Sequence, residues 1–189
     1  MDGSSKESEA PDMGDGSCPR ILVFTGDGKG KTTAALGMAV RAAGHGMSVL
    51  ILQFIKADAT TGELAAFAML PTVTIIQTGK GFVPAPHRPE YASHREAAEV
   101  GLRQVAEAIT SGRYALMVLD EVCTAVERGL LVEASVVEVV KRAPAEMVMV
   151  LTGRGATDGL MQLADTVTEM RCIKHGANTG WRAQKGVER

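Results

Sequence analysis

The stretch that most constrains the fold of this chain is a glycine-rich loop, TGDGKGKTT, at residues 25–33. It follows the apolar run ILVF at residues 21–24 and opens into a segment with helical character at Lys31–Ala43. Glycines let backbone N–H groups approach phosphate oxygens closely, and the N-terminal end of the next helix attracts the same anion. A strand, such a loop and a helix in succession predict a phosphate-binding site in an α/β fold.

The loop departs at one position from the pattern G-x-x-x-x-G-K-[ST], because Thr25 stands where the first glycine is expected. Lys31 would bring a mobile positive charge to the phosphates, and Lys29 adds a second charge inside the loop. The Thr32 hydroxyl lies where it could bind a magnesium ion that bridges phosphates. A glycine turn without a ligand is the alternative, which the strand before the loop and the helix after it disfavour.

The rest of the chain alternates between short apolar runs and helical segments. Further strands are predicted at 48–54, 73–77, 114–119, 146–152 and 166–171, and helices at Ser93–Ser111, Val132–Arg142 and Gly159–Ala164. The apolar runs are continuous, as expected of strands that are buried on both faces. We therefore predict a single α/β domain at residues 20–189, with a mostly parallel central sheet and helices on both faces.

Composition narrows the class of protein. Residues 1–19 are rich in Ser, Gly, Asp, Glu and Pro without apolar periodicity, which predicts a mobile tail. A net charge of −2 argues against a nucleic-acid binder, and no apolar run approaches the length of a membrane span. The three cysteines are widely spaced and form no C-x-x-C motif, which disfavours a disulfide framework or a zinc site. We expect a cytoplasmic protein.

Two further motifs carry charge at predicted strand ends. The run YALMVLDEV places Asp120 and Glu121 where a carboxylate can bind magnesium directly or through water. In LTGRG, Arg154 stands between glycines and is free to reach a phosphate or a carboxylate. The alternatives are a solvated acid at Glu121 and an exposed turn arginine at Arg154.

Two loops and the C-terminal segment are further candidates for ligand binding. Residues 55–67 and 78–94 follow predicted strands, at the edge where ligands bind in parallel α/β folds. The segment 169–189 carries Arg171, Lys174, His175, Arg182 and Lys185 among glycines and one tryptophan. It is either a solvated basic end or a lid that contributes to an anion site. No Ser-His-Asp arrangement is evident, so no side-chain nucleophile is predicted.

Taken together, the motifs resemble the P-loop ATP:corrinoid adenosyltransferase family. The resemblance runs from about residue 20 to the end, through TGDGKGKTT, VLILQFIK, GE at 62–63, TGKGF, VLDE, LTGRG, LADTVTEMR and KHGANTGWRAQKGVE. It implies a P-loop NTPase-like fold and transfer of the 5′-deoxyadenosyl group of ATP to a reduced corrinoid, with release of triphosphate. It also implies a homodimer, an electron donor that reduces the cobalt, and possible hand-off to an adenosylcobalamin-dependent enzyme.

The resemblance assigns roles to particular positions. ATP would be bound by Thr25, Gly26, Asp27, Gly28, Lys29, Gly30, Lys31, Thr32, Thr33, Glu63 and Arg154. The corrinoid would contact Gly81, Phe82, Glu63, Lys174 and His175. Thr32 with Asp120 or Glu121 would hold Mg2+, and Lys31, Thr32 and Glu121 would be catalytic. ATP in this family is thought to lie reversed in the loop, which accounts for a first position that is not glycine.

Two positions depart from the family pattern. Asp27 stands where Asn is common, and an acid beside triphosphate is unfavourable unless Lys29 or magnesium offsets it. Pro84 replaces a second aromatic residue in the loop that is thought to displace the lower ligand of the corrinoid, whereas Phe82 is retained. Phe82 packed into the core is the alternative.

Two other functions fit a P-loop with an Asp-Glu strand end. A nucleoside kinase of the thymidine-kinase type shares these features, although the cysteine-rich zinc lasso usual in that class is absent from the sequence. A nucleotide-gated corrinoid carrier is the non-enzymatic alternative.

Overall fold

Six parallel strands form the centre of the fold. In the computed structural model, which describes residues 18–187, their bounds are β1 (Arg20–Thr25), β2 (Val49–Gln53), β3 (Val73–Gln77), β4 (Leu116–Asp120), β5 (Val148–Thr152) and β6 (Thr166–Glu169). Their order across the sheet is β3-β2-β4-β5-β1-β6. The predicted strands and parallel sheet are confirmed. Residues 1–17, which hold most of the predicted tail, and residues 188–189 lie outside the described range.

Helices cover both faces of the sheet. They are α1 (Lys31–Gly44), α2 (Gly62–Phe67), α3 (Tyr91–Ser111), α4 (Val122–Glu127), α5 (Glu133–Lys141) and α6 (Asp158–Leu163). The helices α2 and α4 were not predicted, because six residues make less than two turns and show no clear period. None of the helices between residues 18 and 187 is long and apolar enough to cross a membrane.

The strands bury side chains on both faces, which is why their sequences are continuously apolar. In β2, Val49 and Ile51 join the core beneath α1, whereas Leu50 and Leu52 join the core beneath α3 and α5. The predicted stripe on α3 is buried as expected, at Ala98, Leu102, Val105 and Ile109. The helix α1 packs through small residues, Ala35, Ala39 and Ala42.

The parallel arrangement fixes where a site can form. Because all strands run in one direction, the segments that follow β1, β2, β4 and β5 emerge at the same edge of the sheet. Gln53 in β2 is the register partner of Asp120 in β4, so the residues just beyond these two strands are neighbours. The glycine-rich loop after β1 lies two strands away, on the far side of β5.

Candidate functional site

The glycine-rich loop joins β1 to α1, and the segment after β6 holds its backbone. The Gly28 N–H donates to the carbonyl oxygen of Met170 at 2.6 Å. A Cβ atom at Gly26 or Gly28 would lie 2.5 or 2.6 Å from that oxygen, so a side chain at either position would force the two segments apart. Gly30, with a φ of 110°, allows the loop to enter α1. The glycines are therefore required by the backbone path itself.

Lys31 is buried against the inside of the loop. Its Nζ donates to the carbonyl oxygens of Gly26 and Gly28, both at 2.6 Å. Burial lowers the pKa of Lys31, the charge of Glu121 partly counters this, and the charge of Arg154 lowers it further. The loop thus holds an ammonium group whose charged form would be favoured by the negative charge of a bound phosphate chain.

Thr25, the residue that departs from the P-loop pattern, lies behind the loop. Its side chain is buried, and its hydroxyl accepts a hydrogen bond from the Ala156 N–H at 3.2 Å. This bond ties the start of the loop to the segment after β5, which a glycine could not do. Neither Thr25 nor Gly26 lines the cavity that adjoins the loop, and their contact with ATP stays a prediction.

Asp120, at the end of β4, is fully buried but hydrogen-bonded at both carboxylate oxygens. Its Oδ1 accepts from the hydroxyls of Thr32 at 2.7 Å and Thr152 at 2.8 Å. Its Oδ2 accepts from the Gln53 amide at 2.9 Å. The carboxylate therefore links the start of α1 to three neighbouring strands, and it positions the Thr32 hydroxyl.

Glu121 is the one non-glycine residue with positive φ in the part of the chain that the structure describes, at φ 63° and ψ 19°. This conformation costs an ordinary residue about 1–2 kcal/mol, and residues strained in this way cluster at functional sites. Here it turns the chain sharply from β4 into α4, and the Glu121 N–H donates to Thr152 Oγ1 at 3.0 Å. The Thr124 hydroxyl bonds the Glu121 carboxylate and accepts from the Arg154 N–H at 2.9 Å.

Lys56 is a functional candidate that the sequence analysis did not assign. Its Nζ lies 2.9 Å from Glu63 Oε1 and 3.6 Å from Asp120 Oδ2, and its side chain is 30% exposed. Burial opposes the charged form, but the charge of Asp120 and the hydrogen bond to Glu63 outweigh it, so the pKa of Lys56 is raised. The one available signal is its position in VLILQFIK, three residues beyond the end of β2.

The glycine-rich loop, Lys56, Glu63, Glu121 and Arg154 line one cavity of about 620 Å³, the main cavity. Asp120 lies behind its lining and contacts both the Thr32 hydroxyl, at 2.7 Å, and the Lys56 ammonium, at 3.6 Å. The predicted ATP-site residues that line the cavity are Asp27, Gly28, Lys29, Gly30, Lys31, Thr32, Thr33, Glu63 and Arg154. Among the described residues that line it there is no cysteine, histidine or serine.

The predicted corrinoid residues do not lie together. Glu63 lines the main cavity, whereas Lys174 and His175 line a second cavity that shares only Lys29 with it. Phe82 is 92% exposed, which excludes the alternative that it packs in the core. The loop that carries Phe82 is nevertheless fixed, because the Gly81 N–H donates to the Ile55 carbonyl at 2.7 Å.

Fold and site define a nucleotide-binding protein of the P-loop class. Two solved structures share the fold at a TM-score of 0.55: a KaiC-like protein from Pyrococcus horikoshii and the flagellar accessory protein FlaH from Methanocaldococcus jannaschii. The first is 15% identical and covers 84% of this chain and 74% of its own. The second is 11% identical and covers 82% of this chain and 70% of its own.

The chain belongs to the ATP:corrinoid adenosyltransferase family, since the family model described as BtuR/CobO/CobP matches residues 18–189. It is similar to the corrinoid adenosyltransferase of Pseudomonas aeruginosa, at 42% identity over 89% of this chain and 82% of that protein. The corrinoid adenosyltransferase of Escherichia coli K12 is 35% identical, over 89% of this chain and 84% of its own length. The resemblance seen in the motifs is thereby confirmed.

Proposed function

We propose that this protein transfers the 5′-deoxyadenosyl group of ATP to the cobalt of a reduced corrinoid and releases triphosphate, in adenosylcobalamin biosynthesis or salvage. The observation that carries the proposal is the main cavity. It brings the triphosphate loop together with Lys56, Glu63, Glu121 and Arg154, and the described residues around it offer no cysteine, histidine or serine as a nucleophile. This suits a reaction in which one substrate brings its own nucleophile, the cobalt(I) centre.

The reaction balances without an enzyme-bound intermediate. The electron pair of cobalt(I) forms a bond to C5′ of ATP, the C5′–O bond breaks, and triphosphate leaves with the electron pair of the C5′–O bond. The protein must hold cobalt, carbon and leaving oxygen in line and stabilise the charge that develops on triphosphate. Lys31 and Lys29 in the loop, and Arg154 in the lining of the same cavity, bring positive charge to the leaving group.

The cavity also favours one direction for ATP. The loop suits the triphosphate, and Glu63, which lines the same cavity beside Lys56, offers a carboxylate for the ribose hydroxyls. The Phe82 loop is packed beside the segment that carries Lys56, since a Cβ at Gly79 would lie 2.1 Å from the Ile55 carbonyl carbon. We infer that C5′ faces the Phe82 loop and that the corrinoid approaches from there, with Phe82 against its lower face.

Magnesium fits the donor set at the junction of loop and β4. A hydroxyl at Thr32 and a carboxylate at Glu121, with phosphate oxygens and water, are ligands of the kind that Mg2+ prefers. Both oxygens of Asp120 accept hydrogen bonds from the protein, so we assign Asp120 to positioning Thr32. When bound, Mg2+ would neutralise part of the phosphate charge.

One assay separates the candidate functions. Protein, ATP, Mg2+ and chemically reduced cobalamin are mixed in the dark, and products are identified by absorbance and chromatography. A light-sensitive adenosyl product with stoichiometric triphosphate is expected. ADP formed with a nucleoside acceptor would instead identify a kinase, and tight corrinoid binding without turnover would identify a carrier.

The family resemblance also supports a homodimer in the cytoplasm, an electron donor that reduces cob(II) to cob(I), and hand-off of the product to an adenosylcobalamin-dependent enzyme. Light scattering after size-exclusion chromatography tests the dimer. A monomeric mass at micromolar concentration would remove that part of the proposal.

A further inference from the structure

A second cavity, called here the C-terminal cavity, opens beside the triphosphate loop. It has a volume of about 570 Å³, and its polar and aromatic lining comes from Lys29, Lys174, His175, Thr179, Trp181 and Arg182. Three of these side chains are cationic, and none of the described residues that line the cavity is acidic. Lys29 lines both cavities, so the C-terminal cavity adjoins the site for triphosphate.

The wall of this cavity is a hydrogen-bonded turn. The Trp181 N–H donates to the Gly176 carbonyl at 3.0 Å, and the Gly180 N–H donates to the Ala177 carbonyl at 3.1 Å. The two ends of the turn touch, since a Cβ at Gly176 would lie 3.2 Å from the Trp181 Cβ. The turn therefore holds Trp181 beside Gly176, next to His175, and Lys174 lines the same cavity.

The histidine in this turn is set up as a donor. His175 Nδ1 accepts a hydrogen bond from the Ala177 N–H at 3.1 Å, so the neutral ring carries its proton on Nε2. An Nε2–H donor beside ammonium and guanidinium groups is a set that binds oxyanions. Trp181, with 76% of its surface exposed, adds a flat apolar face for the non-ionic part of a ligand.

We propose that the C-terminal cavity is a second anion site that binds a phosphate group next to the triphosphate loop. On the basis of the proposed function, that phosphate has two possible sources. It is either the triphosphate that leaves the loop or the phosphodiester in the nucleotide tail of a complete corrinoid. In both cases Lys174, Arg182 and His175 bind the phosphate oxygens, and Lys29 links the two sites.

The chain offers a direct probe, because Trp181 is its only tryptophan. Inorganic triphosphate is titrated into the wild-type protein, into Lys31→Ala and into the double variant Lys174→Gln/Arg182→Gln, with fluorescence as the readout. Lys141→Gln, a surface lysine at the end of α5, is the matched charge control. Wild-type protein with its loop saturated by ATP replaces Lys31→Ala if that variant is unstable.

We expect a saturable change in Trp181 fluorescence that persists in Lys31→Ala and weakens as ionic strength rises. In the double variant the apparent affinity should fall about tenfold, since two charge-assisted contacts are lost. A response that disappears in Lys31→Ala but is unchanged in the double variant would assign triphosphate to the loop alone. That result, or no response in any variant, would overturn the proposal.

Steady-state kinetics distinguish the two sources. If the site takes the corrinoid phosphodiester, the double variant raises the KM for cobalamin several-fold more than the KM for cobinamide, which has no phosphodiester. If it takes triphosphate, product inhibition by triphosphate weakens and the KM values of the two corrinoids change by the same factor. Normal adenosyl transfer without a fluorescence response would contradict only the second anion site. A fluorescence response without adenosyl transfer would contradict only the proposed function.

Discussion

Replacing Lys56 with methionine tests the charge arrangement that Lys56 forms with Asp120 and Glu63 beside the main cavity. The substitution keeps most of the apolar stem but removes the ammonium group beside Asp120 and Glu63. Asp120 is fully buried and keeps its three hydrogen bonds, but it loses the cation 3.6 Å away. We therefore expect destabilisation through an uncompensated buried charge rather than through a packing defect.

The size of the effect follows from the distances. Unit charges 3.6 Å apart attract each other with roughly 4–5 kcal/mol at an effective dielectric constant of about 20. The Lys56 ammonium loses part of its hydration to reach that position, which offsets about half of the attraction. We expect Lys56→Met to lower the free energy of unfolding by about 2–3 kcal/mol at pH 7.

The effect should depend on pH in a defined way. Burial raises the pKa of Glu63, but the hydrogen bond and charge of Lys56 outweigh it, so the net shift is downward from 4.5. The stability from a lowered carboxyl pKa is present above 4.5 and is lost as pH falls through the folded value. The raised pKa of Lys56 contributes below 10.5 and is lost as pH rises beyond it. The difference between wild type and variant should thus be flat from pH 6 to 9 and shrink below about 4.5.

Urea unfolding at several pH values measures this difference, with Lys56→Arg to retain the charge and Lys141→Met as a surface control. A loss below about 0.5 kcal/mol at pH 7, or a loss equal to that of the surface control, would show that Lys56 does not neutralise Asp120.

Four further outcomes test the main cavity and the Phe82 loop. Lys31→Ala should reduce single-turnover transfer at least about 100-fold through lost stabilisation of triphosphate, and near-normal turnover would remove Lys31 from the site. Because burial lowers the pKa of Lys31 and bound phosphate favours its charged form, ATP binding should take up protons as pH rises toward 10.5; calorimetry in two buffers that shows no such uptake would contradict this. Asp27→Asn should tighten ATP binding about two- to fivefold by removing an acid from the cavity, and unchanged or weaker binding by calorimetry would give Asp27 another role. Phe82→Ala should slow the reaction from cob(II) more than that from pre-reduced cob(I), and equal losses would mean that Phe82 only packs.

The parts of the fold and site that the sequence predicts are those encoded by local chemistry. The glycine-rich loop, the Asp-Glu strand end and the continuous apolar runs each carry their own physical reason. The role of Lys56 could not be predicted, because a lysine after a strand is usually solvated. Its contact with Asp120 depends on β2 lying beside β4, and its contact with Glu63 depends on the unpredicted helix α2.

Two other features needed three-dimensional information. The left-handed backbone of Glu121 arises from the sharp turn between β4 and α4, and the sequence VLDE does not predict this conformation. The separation of Lys174 and His175 from the Phe82 loop follows from the strand order, which places β6 and β3 at opposite edges of the sheet. Sequence motifs identified these groups but could not tell that they belong to different cavities.

The contact between the Gly28 amide and the Met170 carbonyl has a consequence for how the protein folds while it is being translated. The loop at residues 25–33 leaves the ribosome early, yet its backbone rests on residues that are translated near the end of the chain. Nascent chains that stop before β6 lack the surface on which the loop is shaped. Nucleotide affinity should therefore be acquired only after the chain has been synthesised to Met170 and beyond.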